Sequence, residues 1–177
     1  MPKLKLLILD AGVVIHLHEL QLWQPLLVSC DVHLSRIVAE REVLFEPNED
    51  GGYGDDIDLR PDVSAGRINV FEVTASDVKR FRESFDSLYI GDLDDGESES
   101  LAFLAAQTDE YLISSGDAIV YRVLGNLGRG DQGISLEEAL NQIGLGREIK
   151  WPFNKLFRDK FTRLGTEDLI RGRGKKR

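Results

Sequence analysis

Apolar and polar positions along this chain fall into blocks whose period switches several times between strand-like and helix-like. Leu4 to Leu9 is a continuous aliphatic run closed by Asp10, the pattern of a strand buried on both faces of a parallel sheet. Leu17, Leu20, Trp23, Leu26 and Leu27 recur at three- and four-residue spacing and predict one amphipathic helix over 17–28, kinked at Pro25. A short strand at 32–35 and a helix from Ile37 to about Phe45 follow. Residues 46–66 are rich in Asp, Asn and Gly and read as an acidic loop with a short extended piece at 57–59, too polar for the core.

Alternation resumes with Ile68, Val70, Phe71 and Val73 as a strand and a helix through Val78, Phe81 and Phe85 that Ser76 can cap. An Asp-rich turn, with Asp94 or Asp95 as cap, opens a helix over about 97–107 with Leu101, Leu104 and Ala105 as its buried stripe. Tyr111 to Ser115 repeats the strand pattern. Asp117 then opens a helix with Ile119, Val120, Val123, Leu124 and Leu127 on one face. Ser135 and Glu138 have capping-box spacing ahead of Leu136 to Ile143, and Trp151, Phe153, Leu156, Phe157, Phe161 and Leu164 suggest one more helix packed on the body. Strands alternating with helices predict a three-layer α/β/α sandwich with a mainly parallel central sheet. In such sheets ligands bind beyond the carboxyl ends of the strands.

The chain has 177 residues and a formal charge of −9. That length fits one domain with a small appendage. The charge is unevenly placed: residues 49–99 carry fifteen Asp and Glu against five Lys and Arg, whereas 145–177 carry eleven Lys and Arg against four Asp and Glu. The basic stretch ends in Arg171, Arg173, Lys175, Lys176 and Arg177, read as a mobile tail able to attract phosphates. A single cysteine, Cys30, excludes an internal disulfide and any multi-cysteine zinc site. The N-terminal apolar run to Ile15 is broken by Asp10 and falls short of the roughly 20 residues a membrane span needs. With no signal-peptide order in the first 30 residues, the expectation is a cytoplasmic protein without membrane partners.

Asp10 and Asp117 each stand just beyond an apolar strand, where an open α/β sheet places its crevice. Carboxylates collected at one edge repel each other, and a divalent cation is the usual compensation. A set of oxygen ligands without His or Cys suits Mg2+ or Mn2+. Two further acids fit the same edge. Glu40 shares a helical face with Ile37 and Leu44, and Glu97 opens its helix on the Leu101 and Leu104 side, whereas Glu42 and Glu99 point elsewhere in this reading. Taken singly, each acid also serves as a cap, a helix-terminal charge or a solvated residue. His16 and His18 have no partner at fixed spacing and read as positions at a helix start. The glycines of 125–130 follow a helix and read as its stop, not as a phosphate loop.

The segments LLILDAGVVIHL, SRIVAERE, DDGESESLAFL and LISSGDAIVYRVLG, in this order, resemble the PIN-domain superfamily of metal-dependent ribonucleases over roughly residues 4–127. The resemblance implies a PIN-like domain over 1–130, a helical extension over 131–165 and a basic mobile tail over 166–177. It carries the family's acids onto Asp10, Glu40, Glu97 and Asp117, as metal ligands and catalytic residues, with Ser115 in support. It implies hydrolysis of RNA phosphodiesters by Mg2+ or Mn2+, with Arg41, Arg122, Arg171, Arg173, Lys175 and Lys176 as candidates for holding substrate. It also admits single-stranded RNA, a protein inhibitor of antitoxin type and a homodimer as partners. Gly12 stands where the family commonly has Asn, so a degenerate, binding-only PIN-like protein is the alternative. A haloacid-dehalogenase-like phosphatase is a weaker rival, because Gly12 also replaces that family's second Asp and no late acidic pair follows a Lys.

Overall fold

The computed structural model describes residues 4–42, 45–47 and 53–177. Four strands, β1 (Leu4–Leu9), β2 (Cys30–Ser35), β5 (Ile68–Phe71) and β6 (Leu112–Ser114), form one sheet in the order β5-β2-β1-β6, every pair parallel. A separate antiparallel pair, β3 (Phe45–Pro47) and β4 (Tyr53–Asp56), takes up Phe45, read as the end of the helix from Ile37, and part of the stretch read as an acidic loop; residues 43–44 of that helix and 48–52 of that loop fall outside the described ones.

Helices cover both faces. Side chains alternate along a strand, so β1 sends Leu7 and Leu9 into one core and Ile8 into the other. The first core is closed by α1 (Ala11–Glu19), α2 (Trp23–Ser29) and α7 (Leu136–Gln142) through Val13, Leu17, Leu26 and Leu140. The second is closed by α5 (Asp95–Ala106) and α6 (Ala118–Asn126) through Leu101, Leu104, Val120 and Val123. The result is the expected three-layer α/β/α sandwich.

Several boundaries differ from the sequence expectation. The single helix at 17–28 is two, because α1 already begins at Ala11 and the chain turns at Gln21 with φ +57. Pro25 sits in the first turn of α2, where its missing N–H costs no intrahelical bond. His16 and His18 consequently lie in the last turn of α1 rather than at a helix start. The helix after β2 widens into a π-helical turn over Val38–Glu42. A short helix, α3 (Arg60–Ser64), follows buried Ile57 and Leu59, so part of the supposed loop does reach the core. Asp62 anchors it, accepting from Trp23 Nε1 at 3.1 Å and Arg67 Nε at 2.9 Å. Thr74, not Ser76, caps α4 (Ala75–Glu83).

The C-terminal third is integral to the body. Ile134, Leu136 and Leu140 belong to the first core, and α8 (Lys155–Ile170) lies along α6. That crossing is close because glycines face it from both sides: a Cβ on Gly125 would stand 2.2 Å from Thr162 O, and one on Gly165 would stand 2.0 Å from Arg122 O. Residues 166–177, expected to be mobile, are the end of α8 followed by a docked segment. Lys175 bridges Phe85 in antiparallel fashion, and Lys176 N donates to Ser84 O at 2.8 Å. Among the described residues no helix is long and apolar enough to cross a membrane.

Candidate metal centre

Strand order places the switch point at β1, which is flanked by β2 on one side and β6 on the other. Chains leaving β1 and β6 turn apart there and open a crevice. Asp10, Glu97 and Asp117 meet in it, each offering an oxygen, with all three atoms within 4.8 Å of one another. Asp10 and Glu97 are buried, and Asp117 is exposed.

Each carboxylate is placed by a different local device. Asp10 follows β1 and caps α1, its Oδ1 accepting from Ala11 N at 2.8 Å and its Oδ2 from Ser115 Oγ at 2.8 Å. Its own N–H donates to Ser114 O at 3.0 Å, which ties the end of β1 to the end of β6. Ser115 Oγ also accepts from Asp117 N at 3.0 Å, so one hydroxyl sets two of the three acids. Beneath that loop the buried Tyr121 hydroxyl accepts from Ser115 N at 3.0 Å and has Ser115 O at 2.9 Å and Ile134 O at 3.2 Å for its own proton. Burial pushes this phenol up to about 12, which keeps it a neutral donor.

Glu97 belongs to a capping box. Its N–H donates to Asp94 Oδ1 at 2.8 Å, and Asp94 N donates to its Oε2 at 3.1 Å. Its other oxygen, Oε1, is buried and receives no donor among the described residues. Asp117 stands at the N-cap of α6 without making a side-chain cap bond. An orphaned buried carboxylate oxygen is costly unless something positive meets it.

The electrostatics agree. Burial first, then the Asp94 and Asp117 charges, push Asp10 up to about 6 against the hydrogen bonds from Ser115 and Ala11. Burial, the neighbouring Asp117 carboxyl and the Asp10 charge push Glu97 up to about 10. Carboxylates with no cation among them hold protons instead. The donor set is all oxygen and partly hydrated through exposed Asp117, so this triad can hold a metal ion.

Glu40 is not brought to the cluster. It is exposed and accepts from Arg36 Nε at 3.0 Å, while Arg36 Nη1 also reaches Glu72 at 3.1 Å. The π-helical turn is the reason, since α-helical spacing no longer tells which way its residues face. Glu99, expected to point away, is buried like Glu97, and its carboxylate accepts from Ile37 N and Val73 N at 3.4 Å each, across the ends of β2 and β5. Arg41 lines a cleft of about 700 Å3 beside these groups, with Arg36, Lys79 and Arg82. Arg122 is committed to buried Asp168 at 2.8 Å, and the other cations proposed for substrate, Arg171, Arg173, Lys175 and Lys176, are exposed.

Two contributors escaped the sequence reading. Tyr121 was legible only as one polar tip on an otherwise apolar helix face, a group that needs a partner when buried. Phe153 precedes α8, which begins at Lys155, and was read only as part of the last helix packed on the body. It stacks on His16 with ring centroids 4.5 Å apart, and a Cβ on Gly116 would stand 2.6 Å from its Cε1. Its ring also lies over Gly12, at 4.0 Å from where a Cβ would be. The C-terminal third thus contributes an aromatic wall against Gly12 and Gly116, beside Asp10 and Asp117. No family profile, curated protein or solved structure matches this chain.

Proposed function

We propose that this protein is a PIN-like, metal-dependent ribonuclease that hydrolyses RNA phosphodiester bonds, with Mg2+ or Mn2+ held by Asp10, Glu97 and Asp117. The observation that carries the reading is the orphaned Glu97 Oε1 facing two further carboxylates at the switch point of a parallel sheet. A divalent cation bound there supplies the charge that acidifies water and neutralises the scissile phosphate. The chain's part is positional. Ser115 fixes Asp10 and the Asp117 backbone, the capping box fixes Glu97, and Tyr121 holds the loop that bears Ser115. Exposed Asp117 is the face from which substrate and water enter. Cytoplasmic residence suits an enzyme whose single cysteine, Cys30, is buried. A neighbouring antitoxin-type inhibitor is one partner this reading admits.

The test is cleavage of single-stranded RNA with Mg2+ or Mn2+, wild type against Asp10→Asn. Loss of cleavage in the variant supports the mechanism, and equal activity in both overturns it. The binding-only alternative has one observation in its favour, the placement of Glu40 outside the cluster in an ion pair with Arg36. It requires wild type to bind RNA and metal without cleaving. Hydrolysis of a chromogenic phosphomonoester would point instead to the phosphatase reading.

A further inference from the structure

Ile119 and Arg122 of α6 line a groove of about 590 Å3, whose far wall is residues 172–177. At about 1.5 Å of rise per residue, Arg122 lies about 7.5 Å along the helix axis from Asp117. The far wall is held by its backbone and not by its cations. Asn126 Nδ2 donates to Arg173 O at 2.7 Å, and Asn126 Oδ1 accepts from Lys175 N at 3.0 Å. Asp86 N donates to Gly174 O at 2.8 Å. Gly174 has φ +95, and a Cβ there would stand within 2.6–2.8 Å of the Asn126 amide, so only glycine permits this seat.

Because the main chain makes these bonds, the side chains of Arg173, Lys175, Lys176 and Arg177 stand exposed around the groove. The nearby acids balance them only in part. Asp168 is committed to Arg122 and to the Tyr89 hydroxyl while also feeling the Arg173 charge, Asp86 Oδ1 accepts from Leu88 N, and exposed Asp92 completes the acidic lining against the four exposed cations. Holding four like charges on one ordered segment works against their mutual repulsion, and an anionic ligand offsets it. Leu88, 92% exposed at the lip, offers an apolar surface against which a base can rest.

We propose that this groove binds the sugar–phosphate backbone of a single-stranded nucleic acid and leads it along α6 to the carboxylate cluster. The destination rests on the phosphodiesterase reading above; the binding site does not. A single strand is favoured because two of the three cluster carboxylates are buried, and a flexible backbone can bring one phosphate down to them where a rigid duplex cannot.

The experiment is fluorescence anisotropy of a labelled single-stranded RNA of about 12 nucleotides with the full chain in EDTA, which suppresses metal-dependent cleavage. The variant Lys175→Gln/Lys176→Gln/Arg177→Gln should bind about tenfold more weakly at low salt, and the slope of log K against log salt should fall by about 2. Gly174→Ala keeps every charge but loses the seat, and it should weaken binding as well. Wild-type affinity in either variant overturns the groove. Competition by an acidic peptide as effective as unlabelled RNA overturns the nucleic-acid assignment. Cleavage by wild type in Mn2+ is scored separately: groove-dependent binding without cleavage upholds the groove while removing the phosphodiesterase reading.

Discussion

Ser115 Oγ donates to Asp10 Oδ2 at 2.8 Å across the carboxyl edge of the sheet, joining residues 105 positions apart. The same oxygen accepts from Asp117 N, so the hydroxyl's only proton is directed at Asp10 and its lone pair at the loop. The acid after β1 and the acid before α6 are thereby set by one group.

Ser115→Ala removes that proton donor and leaves Asp10 held by Ala11 alone. The expected outcome is a loss of about 10- to 100-fold in Mn2+ affinity, the usual consequence of deleting a group that orients a metal ligand. Isothermal titration of the variant checks it, with fold stability falling by only about 1 kcal/mol. Unchanged Mn2+ affinity would contradict it.

Metal-free stability should fall as pH rises. Asp10 and Glu97 both sit above their ordinary values, so at these two sites the folded chain binds more protons than the unfolded one. Their contribution is complete at low pH and is lost as pH rises from 3.8 to about 6 for Asp10 and from 4.5 to about 10 for Glu97. A cation must displace those protons, so Mn2+ should raise the melting temperature more at about pH 8 than at about pH 5, and binding should release protons. Calorimetry with and without EDTA, in buffers of different ionisation enthalpy, measures both.

Gly165→Ala should destabilise the whole protein by about 1–3 kcal/mol, as overpacking does. Its new methyl meets Arg122 O, a backbone atom that cannot rotate away, and Gly125→Ala meets Thr162 O in the same crossing. The urea midpoint should drop at an unchanged slope. A midpoint equal to wild type in both variants would refute the close crossing of α6 and α8.

Gly116→Ala should be tolerated only if Phe153 moves. The methyl is opposed by a ring that is itself stacked on His16, so the single variant should lose stability and Phe153→Ala in the same chain should recover part of it. A double-mutant cycle measures the coupling, expected at about 0.5–3 kcal/mol for groups in contact. Additive effects would mean that the two do not touch.

How far the sequence led depended on whether the deciding interaction was local. The strand runs ending at Asp10 and Ser115, and the capping box at Ser135 and Glu138, carry their signal within a few residues, and the structure has all of them. Asp10, Glu97 and Asp117 were legible for the same reason: each stands at a strand end or helix start that periodicity locates. The break at Gln21 was not, because a non-glycine residue takes the left-handed conformation there. Nor was α3, whose anchor Asp62 takes two of its donors, Trp23 and Gln24, from 39 and 38 positions away, beside the local Arg67. Glu40 was misplaced by a change of helical period that no residue type announces, and the docking of 171–177 depends on Asn126, 47 positions from Arg173.

The double engagement of Glu97 bears on how relatives of this chain can be sorted. One oxygen of Glu97 closes the first turn of α5 while the other faces the acids, so folding alone gives reason to retain it. Asp117 closes no cap, and nothing in the first turn of α6 depends on its carboxyl. In a lineage that no longer bound metal there, position 117 would be free to change long before position 97. An acid at 97 is therefore explained by folding alone, whereas an acid at 117 is explained only if the triad holds an ion.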